Sequence, residues 1–114
     1  MGNDVAAHVF DEVRRECTAA WQKFGPQTAV PDGTGADWQK HEADIARMTC
    51  QSAFAAGDGS WMAILHEEVA EAFAESDPTL LRAELLQVAA VALRWVEAIE
   101  ARTWLEQLDA ERQS

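Results

Sequence analysis

The chain has no tyrosine, only three prolines and two cysteines, and few basic residues: nine Lys and Arg stand against 20 Asp and Glu. Two cysteines are too few for the disulfide framework of a small secreted domain, so we expect Cys17 and Cys50 to be reduced thiols in the core. The net charge of −11 repels nucleic-acid phosphates and anionic lipids. We therefore expect no nucleic-acid partner.

Long hydrophobic runs are also missing. The longest mainly apolar stretch without a charge, residues 85–93, is far shorter than the roughly 20 residues that cross a bilayer. The first residues have neither a basic segment nor an apolar segment of the kind that opens a signal peptide. We expect no membrane association and a cytoplasmic location.

What the sequence does contain favours helix. Alanine is abundant, and no segment alternates apolar with polar residues as a half-buried strand does. A length of 114 residues suits one domain. We predict a single all-α domain over residues 1–114, built as a bundle of four to five helices.

Turn and cap residues predict the helix ends. Asn3 or Asp4 can cap a first helix, which Gly25-Pro26 ends near residue 24, and the glycine-rich residues 25–37 form an ordered loop or a lid. A second helix fits residues 37–56. Ser60 can cap a third over residues 61–75, and Asp77-Pro78 suits the cap and first position of a fourth.

Acidic residues are concentrated on the third helix, where five acids and no Lys or Arg lie between residues 67 and 77. Such like charges at helical spacing destabilise an isolated helix. The helical wheel predicts an apolar core stripe, with Glu68 and Glu71 beside it and with Glu67 and Glu75 more exposed. The predicted stripe consists of Met62, Leu65, Val69 and Phe73.

Glu84 lies within the apolar sector of the fourth helix, where we expect it to be buried. A buried carboxylate must be protonated, paired or metal-bound. The residues alone leave open an ion pair with Arg47 or Arg14 and a metal site. Gln87, one turn further, adds an amide oxygen to the same side.

Two helices that each present oxygen donors three residues apart toward a shared interior can form an oxygen-only cation site. The two pairs are Glu68 with Glu71 and Glu84 with Gln87. Oxygen donors suit Mg²⁺ or Mn²⁺, ions that usually reach a protein together with a phosphate chain.

The same residues carry a resemblance. The segment Glu67-Glu68-Val69-Ala70-Glu71, twelve further residues and then Glu84-Leu85-Leu86-Gln87 is similar to the EExxE…ExxD signature of the MazG-like all-α nucleoside triphosphate pyrophosphohydrolases. Residues 21–27 and 31–35 resemble the KWGxQ…PDGTG stretch of small phage and actinobacterial members, and residues 81–99 resemble their fourth helix.

The resemblance implies Mg²⁺-dependent hydrolysis of a (d)NTP to a monophosphate and pyrophosphate, in a homodimer or dimer of dimers located in the cytoplasm of a bacterium or a phage-infected host. It assigns metal binding to Glu68, Glu71 and Glu84, with Gln87 at the fourth ligand position. Glu67, together with Glu68, is assigned to catalysis, and Glu67 orders or deprotonates the attacking water. Lys23 and Gln27 match a segment that can meet phosphate or base.

Two further residues, Trp38 and Gln87, bear on the predicted site. Trp38 follows the glycine-rich loop and is the candidate for stacking on the base. Gln87 occupies the position of an aspartate in the signature, which removes one negative charge from the site. Two alternatives to the hydrolase therefore stay open: a nucleotide-binding or regulatory module that does not turn over, and an acidic helical interaction protein.

Overall fold

The computed structural model describes residues 5–113, and within them the chain forms four α-helices and no strand. The helices are α1 (Ala7–Phe24), α2 (Asp37–Ala55), α3 (Trp61–Ala74) and α4 (Pro78–Gln113). The prediction of an all-α chain is confirmed. Among these residues no helix combines the length and apolar character needed to cross a membrane.

Local chemistry explains most of the helix ends. Gly25, with a φ of 67°, follows the last residue of α1. The hydroxyl of Ser60 accepts a hydrogen bond from the Ala63 amide (3.1 Å), and the Asp77 carboxylate accepts one from the Thr79 amide (2.8 Å). These caps satisfy amides that have no partner inside the helix.

The start of α1 differs from the prediction. The helix begins at Ala7, with Ala6 before it and no side-chain cap, and the predicted caps Asn3 and Asp4 lie outside the described residues. The Ala6 amide donates instead to Glu97 Oε2, 3.2 Å away on α4.

The chain divides into two compact units, one formed by the described residues up to Pro31 and from Leu93 onward, the other by Asp32–Ala92. In the second unit, α2 and α3 pack as an antiparallel pair joined by a short connection. Their shared core consists of Ala43, Ala46 and Ala70. Small side chains at these positions let the two helices approach closely.

The prediction that the apolar stripe of α3 is buried is wrong for its first and last residues. Met62 is 69% exposed and Phe73 51% exposed, whereas Ala70 and Ala72 are buried. Ala70 is buried against α2, and Ala72, about 200° further round the helix, is buried on another side of α3. Cys17, predicted in the core, is exposed, while Cys50 is buried.

Hydrogen bonds hold the second half of the loop between α1 and α2 in place. The Thr34 hydroxyl donates to the Glu75 carbonyl (2.6 Å), and the Gly35 amide donates to the Phe73 carbonyl (2.9 Å). Gly35 has a φ of 88°, and a Cβ built there would lie 2.5 Å from the Cβ of Ser76, so glycine is required. These contacts attach the loop to the C-terminal end of α3.

Gln39 is a buried polar residue that sequence reasoning missed. Its amide oxygen accepts from the Ala36 amide (2.8 Å), and its Nε2 donates to the Gly33 carbonyl (3.0 Å). A glutamine at the third position of a helix that follows a glycine-rich loop is the signal that indicates such a cap.

Candidate metal centre

Three glutamates from two helices converge within the Asp32–Ala92 unit. Glu68 and Glu71 lie one turn apart on α3, and Glu84 lies in the second turn of α4. Each offers a carboxylate oxygen, and the three oxygens lie within 4.8 Å of one another. We call these three residues the acid cluster. All three are half-buried, so Glu84 is less enclosed than its apolar sector predicts.

Burial and mutual repulsion disfavour the ionised form of the acid-cluster carboxylates. Burial raises the pKa of Glu68, and the charges of Glu84 and Glu67 raise it further. Burial likewise raises the pKa of Glu71, followed by the charges of Glu68, Glu67 and Glu84, while Arg47 acts in the opposite direction. Both carboxyls therefore hold their protons more tightly than ordinary glutamates.

The predicted alternative for Glu84 was an ion pair with Arg47 or Arg14. Arg47 pairs with Asp44 (2.6 Å) and Arg14 with Asp11 (3.2 Å), each within its own helix. Among the ion pairs of residues 5–113, Arg47 is not joined to Glu84. Arg47 nevertheless lowers the pKa of Glu71, so its charge offsets part of the repulsion within the acid cluster.

Glu67 is less exposed than predicted. It is half-buried. Burial raises the pKa of the Cys50 thiol, and interaction with the Glu67 carboxylate raises it further. The wheel placed Glu67 away from the α3 stripe, but α2 covers part of that side.

Three of the remaining predicted site residues are exposed. Gln87 is exposed on α4. Lys23 and Gln27 are exposed and belong to the other compact unit, where the Lys23 ammonium lies 5.2 Å from the centre of the Phe24 ring. Their assignment to substrate stays a prediction.

Trp38 is 68% exposed and lines a groove of about 230 Å³ between α2 and α3. His66 and Phe73 line the same groove. At 100° per residue, these α3 positions lie on the side of the helix opposite Glu68 and Glu71. Trp38 is therefore placed with another face of α3 and not beside the acid cluster.

A second group of candidate ligands lies in the other unit. His8, Glu12 and Glu100, which we call the histidine cluster, offer ligand atoms within 4.8 Å of one another, and all are exposed. His8 Nε2 lies 3.0 Å from Glu100 Oε2. This contact joins the start of α1 to α4.

Comparisons of the chain with protein-family models, curated proteins and solved structures gave no match. The resemblance to the MazG-like enzymes therefore rests on the residues alone.

Proposed function

We propose that the chain is a Mg²⁺-dependent nucleotide pyrophosphohydrolase that converts a (d)NTP to the monophosphate and pyrophosphate. The observation that carries the proposal is the convergence of Glu68, Glu71 and Glu84 from two helices, with oxygens within 4.8 Å of one another. The MazG-like spacing of these residues supplies the reaction class.

The donor set of the acid cluster fits a hard divalent cation. Carboxylate oxygens are the donors that Mg²⁺ and Mn²⁺ prefer. Burial and then mutual repulsion raise the pKa of Glu68 and Glu71, so a cation held by Glu68, Glu71 and Glu84 would stabilise their ionised form. When bound, Mg²⁺ supplies positive charge that offsets the negative charge of the triphosphate.

The chain's own contribution to the chemistry comes from Glu67. Its carboxylate accepts a proton from water, and the water oxygen forms a bond to the α phosphorus. The bond from that phosphorus to the bridging oxygen breaks, and its electron pair leaves with pyrophosphate. Glu67 adjoins Glu68 in sequence and its charge acts on both Glu68 and Glu71, so it lies beside the acid cluster.

Pyrophosphate release tests the proposal. The purified chain is incubated with each standard and modified (d)NTP in the presence of Mg²⁺ or Mn²⁺, and both products are quantified. We expect equal amounts of monophosphate and pyrophosphate from at least one nucleotide and none after EDTA treatment. Absence of pyrophosphate from every nucleotide with either ion contradicts the enzyme.

A second function, nucleotide binding without turnover, is favoured by Gln87. This residue is exposed and neutral at the position where the signature has an aspartate, so the site has one negative charge fewer. A nucleotide that raises the melting temperature in the presence of Mg²⁺ without being hydrolysed supports this function over the hydrolase.

Self-association belongs to the same proposal. Large apolar side chains are exposed on every helix, among them Trp21 (63%), Met48 (65%), Met62 (69%) and Trp104 (60%). Exposed apolar surface of this kind is typical of interfaces. We propose a homodimer or a dimer of dimers. Light scattering coupled to size exclusion measures the mass, and a mass of 12.6 kDa at all concentrations contradicts assembly.

A further inference from the structure

One side of α1 is apolar along the helix and exposed. At 100° per residue, five side chains on this side fall within a sector of about 80°, at the spacing of three and four residues that a helix-packing seam has. Four of them are between 43% and 63% exposed, and the cysteine among them is exposed as well. We call these residues the α1 stripe: Phe10, Val13, Cys17, Trp21 and Phe24.

The contact between α1 and α4 lies on another side of the helix. His8 Nε2 is 3.0 Å from Glu100 Oε2, and position 8 lies about 180° round α1 from position 17. Val9, the buried residue of α1, lies about 80° from the same position. The α1 stripe is therefore available to a second molecule.

The side chains of the α1 stripe are arranged symmetrically about Cys17. Phe10 and Phe24 lie seven residues to either side of it, and Val13 and Trp21 lie four residues to either side. Two antiparallel copies of α1 therefore bring Cys17 to the twofold axis. Each Phe10 then meets the partner's Phe24, and each Val13 meets the partner's Trp21. An interface between two identical subunits requires such self-complementarity.

The distribution of charge favours the same partner. α1 carries three Asp or Glu and three Lys or Arg, so its formal charge is zero. The other three helices, α2, α3 and α4, each carry more acidic than basic residues. Two copies of a chain with a net charge of −11 therefore repel each other less along α1 than along any other of the four helices.

The area of the α1 stripe suits a dimer that depends on concentration. A whole aromatic side chain buries about 200 Å², so the exposed fractions of Phe10, Trp21 and Phe24 offer about 340 Å² per copy. With Val13, Cys17 and the flanking side chains, two copies bury on the order of 1,000 Å², the lower end of the range for specific interfaces.

We infer that the α1 stripe is the surface through which the chain self-associates, and that it packs against the α1 stripe of a second, antiparallel copy. The inference rests on the self-association proposed above and names its surface. Helix axes pack about 8–10 Å apart, and Cα atoms lie about 2.3 Å from the axis. At the wider spacing, two facing Cα atoms at position 17 are about 5 Å apart, which is within the range that a disulfide spans.

Oxidative cross-linking tests this register. Diamide takes two electrons and two protons from a pair of thiols, which become a disulfide. The wild type should give a covalent dimer on a non-reducing gel, whereas Cys17→Ser should run as a monomer because Cys50 is buried.

A matched control moves the thiol to the opposite side of the same helix. Position 19 is exposed and lies about 200° from position 17. Cys17→Ser/Ala19→Cys should therefore cross-link at least ~10-fold more slowly than the wild type, since its thiols lie outside disulfide range in the dimer. Equal rates of cross-linking overturn the inference.

A pair of opposite charges tests the antiparallel register without a covalent bond. Trp21→Glu and Val13→Lys each bury an unpaired charge in the interface and should each weaken the dimer at least ~30-fold, the effect of losing a central interface residue. In Val13→Lys/Trp21→Glu the opposite charges meet across the interface, and the dimer should be at least ~5-fold tighter than with either single change. Sedimentation equilibrium measures the dissociation constants. A parallel pair of helices, or another register, gives no such recovery and overturns the inference.

Self-association and its surface fail differently. Met62→Glu adds a charge at an exposed apolar residue of α3 and should leave the dissociation constant within about twofold. A dimer that survives Trp21→Glu, or one that Met62→Glu weakens equally, contradicts the α1 surface alone. A wild-type mass of 12.6 kDa at all concentrations contradicts self-association, and the α1 surface with it.

Discussion

The acid cluster and the histidine cluster each consist of three residues but have different surroundings. Each offers three ligand atoms within 4.8 Å of one another. The acid cluster is half-buried and consists of carboxylates alone, and the pKa values of Glu68 and Glu71 are raised. The histidine cluster is exposed, with 62% of the His8 side chain open to solvent, and a contact between unlike groups already occupies two of its members.

This difference shows what makes a set of ligands a candidate site. Water screens the charges of the histidine cluster, and the His8 to Glu100 contact satisfies both partners. Partial burial removes that screening from the acid cluster, where the three groups carry like charge. Proximity alone is therefore a weak criterion for a metal site, and proximity of like charges in a half-buried position is a stronger one.

The largest expected effect concerns turnover. Glu84→Gln removes one carboxylate from the acid cluster with little change of volume and should lower pyrophosphate release at least ~100-fold. Glu12→Gln makes the same change in the histidine cluster and should leave the rate unchanged. Steady-state assays at saturating Mg²⁺ measure both variants. Equal losses in the two would remove the distinction between the clusters.

Mg²⁺ should raise the melting temperature by a few degrees, because an ion that binds only the folded chain stabilises it. Glu71→Gln should remove this increase and Glu100→Gln should preserve it. Differential scanning fluorimetry with and without Mg²⁺ measures the shift. An increase in melting temperature that survives in Glu71→Gln but disappears in Glu100→Gln would place the ion in the histidine cluster and contradict the proposed metal centre.

The pH dependence of stability has a definite sign. Since the pKa values of Glu68 and Glu71 are raised, the folded state holds more protons than the unfolded chain between the ordinary glutamate pKa and the raised one. Their contribution to the free energy of unfolding is therefore greatest at acid pH and is lost as pH rises through that interval.

Glu84→Gln tests this sign because it removes one source of repulsion on both residues. In the absence of metal, its melting temperature should exceed that of the wild type by about one or two degrees at neutral pH. The two should converge at acid pH, where the cluster is protonated. Thermal unfolding from pH 4 to pH 8 measures the difference, with Glu100→Gln as the control. A difference that grows toward acid pH would contradict the assigned sign.

The smallest effect should come from Gln87→Asp. This change restores the carboxylate of the signature one turn after Glu84, and an added negative charge should strengthen Mg²⁺ binding severalfold. The effect is limited because residue 87 is exposed. The Mg²⁺ concentration that gives half-maximal turnover measures it, and an unchanged value would show that residue 87 does not contribute to the site.

Local chemistry made much of the fold predictable. Helix ends depend on effects confined to a few residues, such as those of Gly25, Ser60 and the Asp77-Pro78 pair. The helices of the structure begin or end at these positions. Helical spacing also predicted that Glu68 and Glu71 share a face of α3, whereas the approach of Glu84 depends on how α4 packs and was left open beside an arginine ion pair.

The parts that depend on long-range packing were not predictable. A helical wheel shows which residues share a face but not which face meets a neighbouring helix. The wheel therefore predicted that Met62 and Phe73 are buried, whereas the structure buries Ala70 and Ala72. For the same reason Glu67 was predicted to be exposed, although it is half-buried and its carboxylate raises the pKa of Cys50 on α2. Positions 50 and 67 become neighbours only through the register of two helices.

The most direct test of the central claim is a Mn²⁺ titration followed by electron paramagnetic resonance, in which the free ion gives the signal. With metal-free wild type, we expect the signal of free Mn²⁺ to fall as the ion binds. The same titration should show much weaker binding in Glu84→Gln and unchanged binding in Glu100→Gln. Equal binding by the wild type and Glu84→Gln would contradict the assignment of the acid cluster as the metal centre.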